Sequence, residues 1–240
     1  MNPRRIILTR AREQNRQWET SLKSIGIDVL NLPLIRFSPL KAPAAVDTAG
    51  FDWILFTSPQ GVRSFFEAGL RPGAAQLGVL GEGTAGVLAA CGYRDDLGAR
   101  VRTGHELATF FCRMVKAPAR VLLPGALKRL AQPKADLTQA GFSVTELPLY
   151  KTEPVPAAEL PENPFKPGDV ILFASPSAVT SFVLAYKERL PCAAIGETTA
   201  ETARGEGFDP FVAENPDLPS LCRAVGLSPT SHVEELVEDD

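Results

Sequence analysis

Two rhythms of apolar residues alternate along the chain. Short unbroken runs such as Ile6-Ile7-Leu8 and Trp53-Ile54-Leu55-Phe56 have strand length, and amphipathic stretches with helical spacing lie between them. The pattern predicts a strand at Arg5–Leu8, a helix over 13–25 closed by Gly26, and a strand over 29–34. It continues with a strand at Trp53–Phe56, a helix over 59–68, a strand over 76–80 and a helix over 83–91 stopped by Gly92; a shorter helix over 106–116 follows. Alternation of this kind predicts an α/β fold whose parallel sheets are covered on both faces.

The same pattern occurs twice. Leu22, Gly26, Val29, Pro33 and Leu34 recur as Leu137, Gly141, Val144, Pro148 and Leu149. Ile54-Leu55-Phe56-Thr57-Ser58-Pro59 recurs as Ile171-Leu172-Phe173-Ala174-Ser175-Pro176, and Gly81-Glu82-Gly83-Thr84-Ala85 as Gly196-Glu197-Thr198-Thr199-Ala200. Three blocks in one order at nearly constant spacing read as an internal duplication. Each copy is interrupted at the same place by a Pro-rich stretch, 38–50 in the first and 152–168 in the second. Read as linkers, these place the domain boundary inside each repeat and make one domain discontinuous.

Composition narrows the function. Of the chain's 240 residues, 45% are apolar and 22% charged, which is soluble-globular usage. No apolar run approaches the roughly 20 residues of a membrane span, and Ile6-Ile7-Leu8 is too short for a signal h-region. The net charge is −3, but five acids (Glu234, Glu235, Glu238, Asp239 and Asp240) sit in the tail beyond Ser228, which reads as a solvated, disordered end. The near-neutral body lacks the basic field of a nucleic-acid binder. Cys91, Cys112, Cys192 and Cys222 are widely spaced, and His105 and His232 stand alone, so neither a disulfide framework nor a zinc site is expected. The expectation is a cytoplasmic, metal-free protein.

The candidate chemistry lies where the predicted strands end. Ser58-Pro59 and Ser175-Pro176 place Ser at an N-cap and Pro at the first helical position. Gly81-Glu82-Gly83-Thr84 and Gly196-Glu197-Thr198-Thr199 open helices in a similar way, giving four helix starts suited to carboxylates or phosphates. Neither a GxxxxGK[ST] nor a GxGxxG motif is present, which disfavours a nucleotide site. Tyr150 stands where the first copy has Ile35, and an unrepeated polar residue at a junction is the candidate proton donor.

These blocks resemble the uroporphyrinogen-III synthase family. The likeness rests on Leu8-Thr9-Arg10, Phe56-Thr57-Ser58-Pro59, Gly125 with Arg129, Pro148-Leu149-Tyr150-x-Thr152, Phe173-x-Ser175-Pro176-Ser177 and Ile195-Gly196-x-Thr198-Thr199-Ala200. It implies two flavodoxin-like lobes joined by a two-stranded ladder, one of 1–36 plus 152–240 and one of 37–151. It also implies cofactor-free cyclisation of hydroxymethylbilane to uroporphyrinogen III, with inversion of ring D and loss of water. The linear tetrapyrrole so implied carries eight carboxylates. The resemblance assigns Tyr150 to departure of the hydroxyl. It assigns substrate contacts to Arg10, Ser58, Gln60, Thr84, Arg129, Ser175, Ser177, Thr198 and Thr199, although Gln60 stands where several members have a basic residue. A monomer is expected, with a transient contact to hydroxymethylbilane synthase. The rival expectation is a non-catalytic tetrapyrrole or anion sensor, or a scaffold, on the same fold.

Overall fold

The computed structural model describes residues 5–41 and 46–227; the acidic tail at 228–240, His232 included, lies outside the described residues. The chain divides into two compact units, the first reaching to Phe37 and resuming at Glu153, the second being Ser38–Thr152. In chain order the elements begin with β1 (Arg5–Leu8), α1 (Arg12–Ser24), β2 (Asp28–Asn31) and β3 (Ile35–Pro39). Then come β4 (Trp53–Phe56), α2 (Pro59–Glu67), β5 (Gln76–Val79), α3 (Glu82–Ala90) and α4 (Gly104–Met114). Next are β6 (Arg120–Ala126), α5 (Lys134–Gln139), β7 (Ser143–Pro154) and β8 (Asp169–Phe173). The last elements are α6 (Pro176–Ala185), β9 (Cys192–Ala194), α7 (Glu197–Gly205), β10 (Pro210–Val212) and α8 (Leu218–Ala224).

The first unit's sheet runs β10-β9-β8-β1-β2, with parallel pairing throughout. The second unit's sheet runs β3-β7-β6-β4-β5, parallel from β7 to β5. Renumbered within its own unit, the first order reads 2-1-3-4-5 from the β2 edge, the doubly wound flavodoxin-like order; β5-β4-β6-β7 reads 2-1-3-4. The direction of winding therefore reverses between β1 and β8 in one unit and between β4 and β6 in the other. In such sheets a ligand crevice opens beyond the strand ends at that reversal.

Period-2 patterning explains both cores. Ile6 and Leu8 of β1, with Val170 and Leu172 of β8, pack one face against Trp18 and Leu22 of α1 and Leu218 and Leu221 of α8. Ile7, Ile171 and Phe173 fill the opposite face against Val179 and Phe182 of α6 and Ala203 of α7. In the second unit, Trp53 and Leu55 meet Leu107 and Phe111 of α4, and Ile54 and Phe56 meet Val62 and Phe65 of α2. All residues of β4 and β8 are buried, as expected for parallel strands covered on both sides. Truncating a fully buried ring such as Phe182 to Ala costs about 3–5 kcal/mol.

The stretches read as linkers are partly strand. β3 runs to Pro39 and β7 continues to Pro154, and both prolines take terminal positions, where a missing N–H removes no interior ladder bond. β3 lies beside β7, and hydrogen bonds from Val155 N–H to the Leu34 carbonyl and from Leu40 N–H to the Leu149 carbonyl bracket the pair. α1 ends on Gly26 at φ +79°, where Ile27 N–H returns to the Leu22 carbonyl at 3.0 Å. Gly141, at φ +90°, closes α5 in the same way, with Phe142 N–H on the Leu137 carbonyl. None of the described helices is long and apolar enough to cross a membrane.

Candidate functional site

In the second unit the reversal point brings Ser58 and Tyr150 together. Ser58 caps α2, its Oγ accepting from Gly61 N–H at 3.1 Å, and Pro59 follows as the first helical residue. The helix start approaches β6 closely. A Cβ on Gly61 would stand 3.3 Å from the Pro124 carbonyl oxygen and 3.3 Å from Ser58 Oγ. The Tyr150 hydroxyl lies 3.3 Å from Ser58 Oγ. Tyr150 reaches this place through an irregularity in β7: Gly125 pairs with Pro148, yet Ala126 pairs with Tyr150. The skipped residue breaks strand alternation, so Leu149 and Tyr150 are both buried, and such bulges re-aim side chains.

Arg129 folds back onto the end of β6. Its Nε donates to the Ala126 carbonyl and its Nη1 to the Leu123 carbonyl, each at 2.9 Å. Nη2 is buried with no hydrogen-bond partner, and burial lowers the guanidinium pKa despite Glu146 at 3.6 Å. Gln60 donates to Ser64 Oγ at 3.0 Å, a contact within its own helix.

The first unit repeats the capping device at its own reversal point. Ser175 caps α6, accepting from Ala178 N–H at 3.3 Å, and its Oγ lies 3.0 Å from that of exposed Ser177. Arg10 follows β1, with its guanidinium 4.3 Å above the centre of the Trp18 ring, an arrangement that favours a cation. Thr9 is fully buried and donates to the Leu172 carbonyl at 2.8 Å, tying the ends of β1 and β8 together.

The four helix starts are not equivalent. α2 and α6 have no acidic residue in their first turn, whereas α3 and α7 begin with Glu82 and Glu197. A carboxylate built into the first turn already answers the helix dipole there and repels a second anion. Glu197 is itself paired with Arg204. Moreover, Thr84 and Thr199 are each only 3% exposed, which turns their hydroxyls away from solvent, while Thr198 is exposed. The pattern Gly-Glu-x-Thr therefore reads differently from Ser-Pro: its threonine is an interior side chain of the helix start.

Asn15 escaped sequence reasoning. Fully buried on the face of α1 that carries Trp18 and Leu22, it donates to the Leu8 carbonyl, the Arg10 carbonyl and Asn31 Oδ1. It thereby fixes the turn that presents Arg10. An Asn where the helical stripe calls for an apolar residue was the available signal. Among the described residues, no three His, Cys, Asp or Glu side chains come together as a metal-ligand set.

Two doubly wound α/β units, each with a Ser-Pro helix start at its reversal point and one with a buried tyrosine hydroxyl there, define a protein class suited to anionic ligands. Residues 16–223 match the family described as Uroporphyrinogen-III synthase HemD, so the chain belongs to the uroporphyrinogen-III synthase family, lyases of porphyrin biosynthesis. A chloroplastic uroporphyrinogen-III synthase of Oryza sativa subsp. japonica is 29% identical over 225 residues, covering 86% of this chain and 74% of the relative. A porphyrin biosynthesis protein HemD of Ruminiclostridium josui is 25% identical, over 90% of this chain but 47% of its own length. Among solved structures, uroporphyrinogen-III synthetase of Helicobacter pylori shares the fold at TM-score 0.66 and 18% identity, covering 92% of this chain and 98% of that one. A mutant uroporphyrinogen III synthase of Thermus thermophilus does so at TM-score 0.54 and 19% identity, over 96% and 98%.

Proposed function

We propose that this chain closes hydroxymethylbilane to uroporphyrinogen III, with Tyr150 as the acid that releases the hydroxyl and the Ser58 helix start as a carboxylate site. The observation that carries this reading is the 3.3 Å approach of the Tyr150 hydroxyl to Ser58 Oγ at the start of α2, a helix with no acidic first-turn residue. The hydroxymethyl C–O bond breaks, and the oxygen leaves as water with the tyrosine proton. The azafulvenium cation left behind is attacked by the substituted carbon of ring D, and rearrangement of the spiro intermediate inverts that ring. The proton lost when the ring regains aromaticity restores the phenol. Much of the selectivity against the uninverted isomer comes from holding one near-attack geometry. Ser175 and Ser177 offer the same helix-start chemistry in the first unit. Arg10 adds a cation at the end of β1, and exposed Thr198 adds a hydroxyl donor.

The sheet orders support a duplication in which the two units exchange halves. β2-β1-β8-β9 in one unit corresponds to β7-β6-β4-β5 in the other, each unit taking two strands from either repeat. A cytoplasmic monomer that meets hydroxymethylbilane synthase transiently completes the reading.

The carboxylate site is tested at Ser58. Ser58→Ala leaves the backbone N–H groups of α2 in place, so KM for hydroxymethylbilane should rise only about twofold to fivefold, the loss of one hydrogen bond. Ser58→Asp puts a carboxylate against a carboxylate and should raise KM at least tenfold more, with the difference shrinking as salt is added. Equal effects of the two substitutions would remove the helix start from the binding account.

A further inference from the structure

A cavity of about 370 Å³ in the second unit opens where β4, β6 and β5 end, on walls that include Thr57, Leu123 and Leu80. The start of α4 and the segment 129–134 close its other sides. At Gly104 these two walls meet in backbone contact, since a Cβ there would stand 2.9 Å from the Gln132 carbonyl carbon. We propose that this cavity receives one acidic pyrrole ring of the linear tetrapyrrole, its two carboxylates held by Arg102, Arg129 and Lys134; this assignment rests on the reaction proposed above.

The charge balance points to an anion. Three cations line the cavity against one carboxylate, Glu146, which already serves Lys134 at 2.7 Å and Arg129 at 3.6 Å. Glu106, at the same helix start, is spent on the backbone N–H groups of Arg102 and Thr103. The Arg129 side chain is only 19% exposed with one nitrogen unpartnered, and an under-neutralised cation in such a place is stabilised by an arriving carboxylate.

The walls point to a ring bearing those acids. Leu80, Leu123 and Pro133 are apolar, and Leu130 stands on the rim at 84% exposure beside the cations. A simple inorganic anion has no use for such walls. The volume lies near the lower end of the 300–1,000 Å³ range of ligand pockets, which suits one substituted pyrrole and excludes four.

Charge complementarity predicts shifts of opposite sign. Lys134→Gln and Arg102→Gln should each raise KM for hydroxymethylbilane about threefold to tenfold, whereas Glu146→Gln, which removes the internal competitor, should lower it. The effect should fall on KM in preference to kcat, and Lys134 and Glu146 are exposed enough for folding to be little changed. The same order should appear when porphobilinogen, a monopyrrole with one acetate and one propionate, is titrated against the variants by protein-observed NMR. If all three variants leave KM and porphobilinogen binding unchanged, or all weaken them alike, while isomer III is still made, the pocket is overturned and the reaction stands. Absence of isomer III from the unaltered chain would instead overturn the reaction, and the pocket's substrate with it.

Discussion

Tyr150→Phe should lower turnover by about 10²–10⁴-fold, the usual worth of a well-placed general acid, while product affinity stays nearly intact. The ring and its packing survive the change. Loss of the contact with Ser58 Oγ costs about 0.5–1.5 kcal/mol of stability, which the fold should tolerate. Because the azafulvene also forms without help, residual product should still be the inverted isomer. Steady-state rates of the purified variant, read beside its urea midpoint, make the test. Full activity would reduce Tyr150 to a packing residue and leave positioning as the whole of catalysis.

Asp169→Ala should cost about 3–5 kcal/mol, the loss expected when one partner of a buried ion pair is removed. Asp169 opposes Arg5 across β8 and β1 and is 2% exposed. Its Oδ1 accepts from Arg5 Nε at 2.9 Å, and its Oδ2 accepts from Arg5 Nη2 at 2.7 Å and Lys166 N–H at 2.8 Å. The contact with Asp169 raises the Arg5 pKa. With that partner gone, Arg5 keeps its charge all the same, because a guanidinium is not deprotonated in proteins. The duplicated position offers a control. Asp52 meets Arg120 at 3.6 Å between largely exposed side chains, and Asp52→Ala should change stability far less. Trp18 belongs to the first unit, so its fluorescence in a Trp53→Phe background follows the unit that Asp169 supports. A midpoint unmoved by Asp169→Ala would contradict the buried-pair account.

Much of the α/β pattern was legible because it is local. β1 and β4 coincide with the apolar runs that predict them, and α2 and α6 begin where Ser-Pro punctuates the chain. The Pro-rich stretches start where the units divide, but they hid the strand ends running into them, because proline tells of a strand's end only when its neighbours in the sheet are known. β7 accordingly runs on through Thr152 to Pro154, in a stretch that reads as linker. At the site, Tyr150 announced itself as an unrepeated polar residue at a junction. Its proximity to Ser58, 92 residues away, depends on a register irregularity at Gly125/Ala126 that no spacing in the sequence encodes. Nor did the motif Gly-Glu-x-Thr disclose that its threonines are buried and its glutamates already occupy the helix starts. Residues 102, 134 and 146 carry no motif at all; only the meeting of the starts of α4 and α5 with β7 makes them a cluster.

In the proposed reaction this chain imposes inversion of ring D on a closure that otherwise proceeds without it. The most direct measurement generates hydroxymethylbilane in place from porphobilinogen and hydroxymethylbilane synthase, adds the purified chain, oxidises the products and separates the isomers. The account predicts a shift from isomer I towards isomer III that grows with the amount of chain added. Isomer I alone, at every concentration of a folded chain, would contradict it.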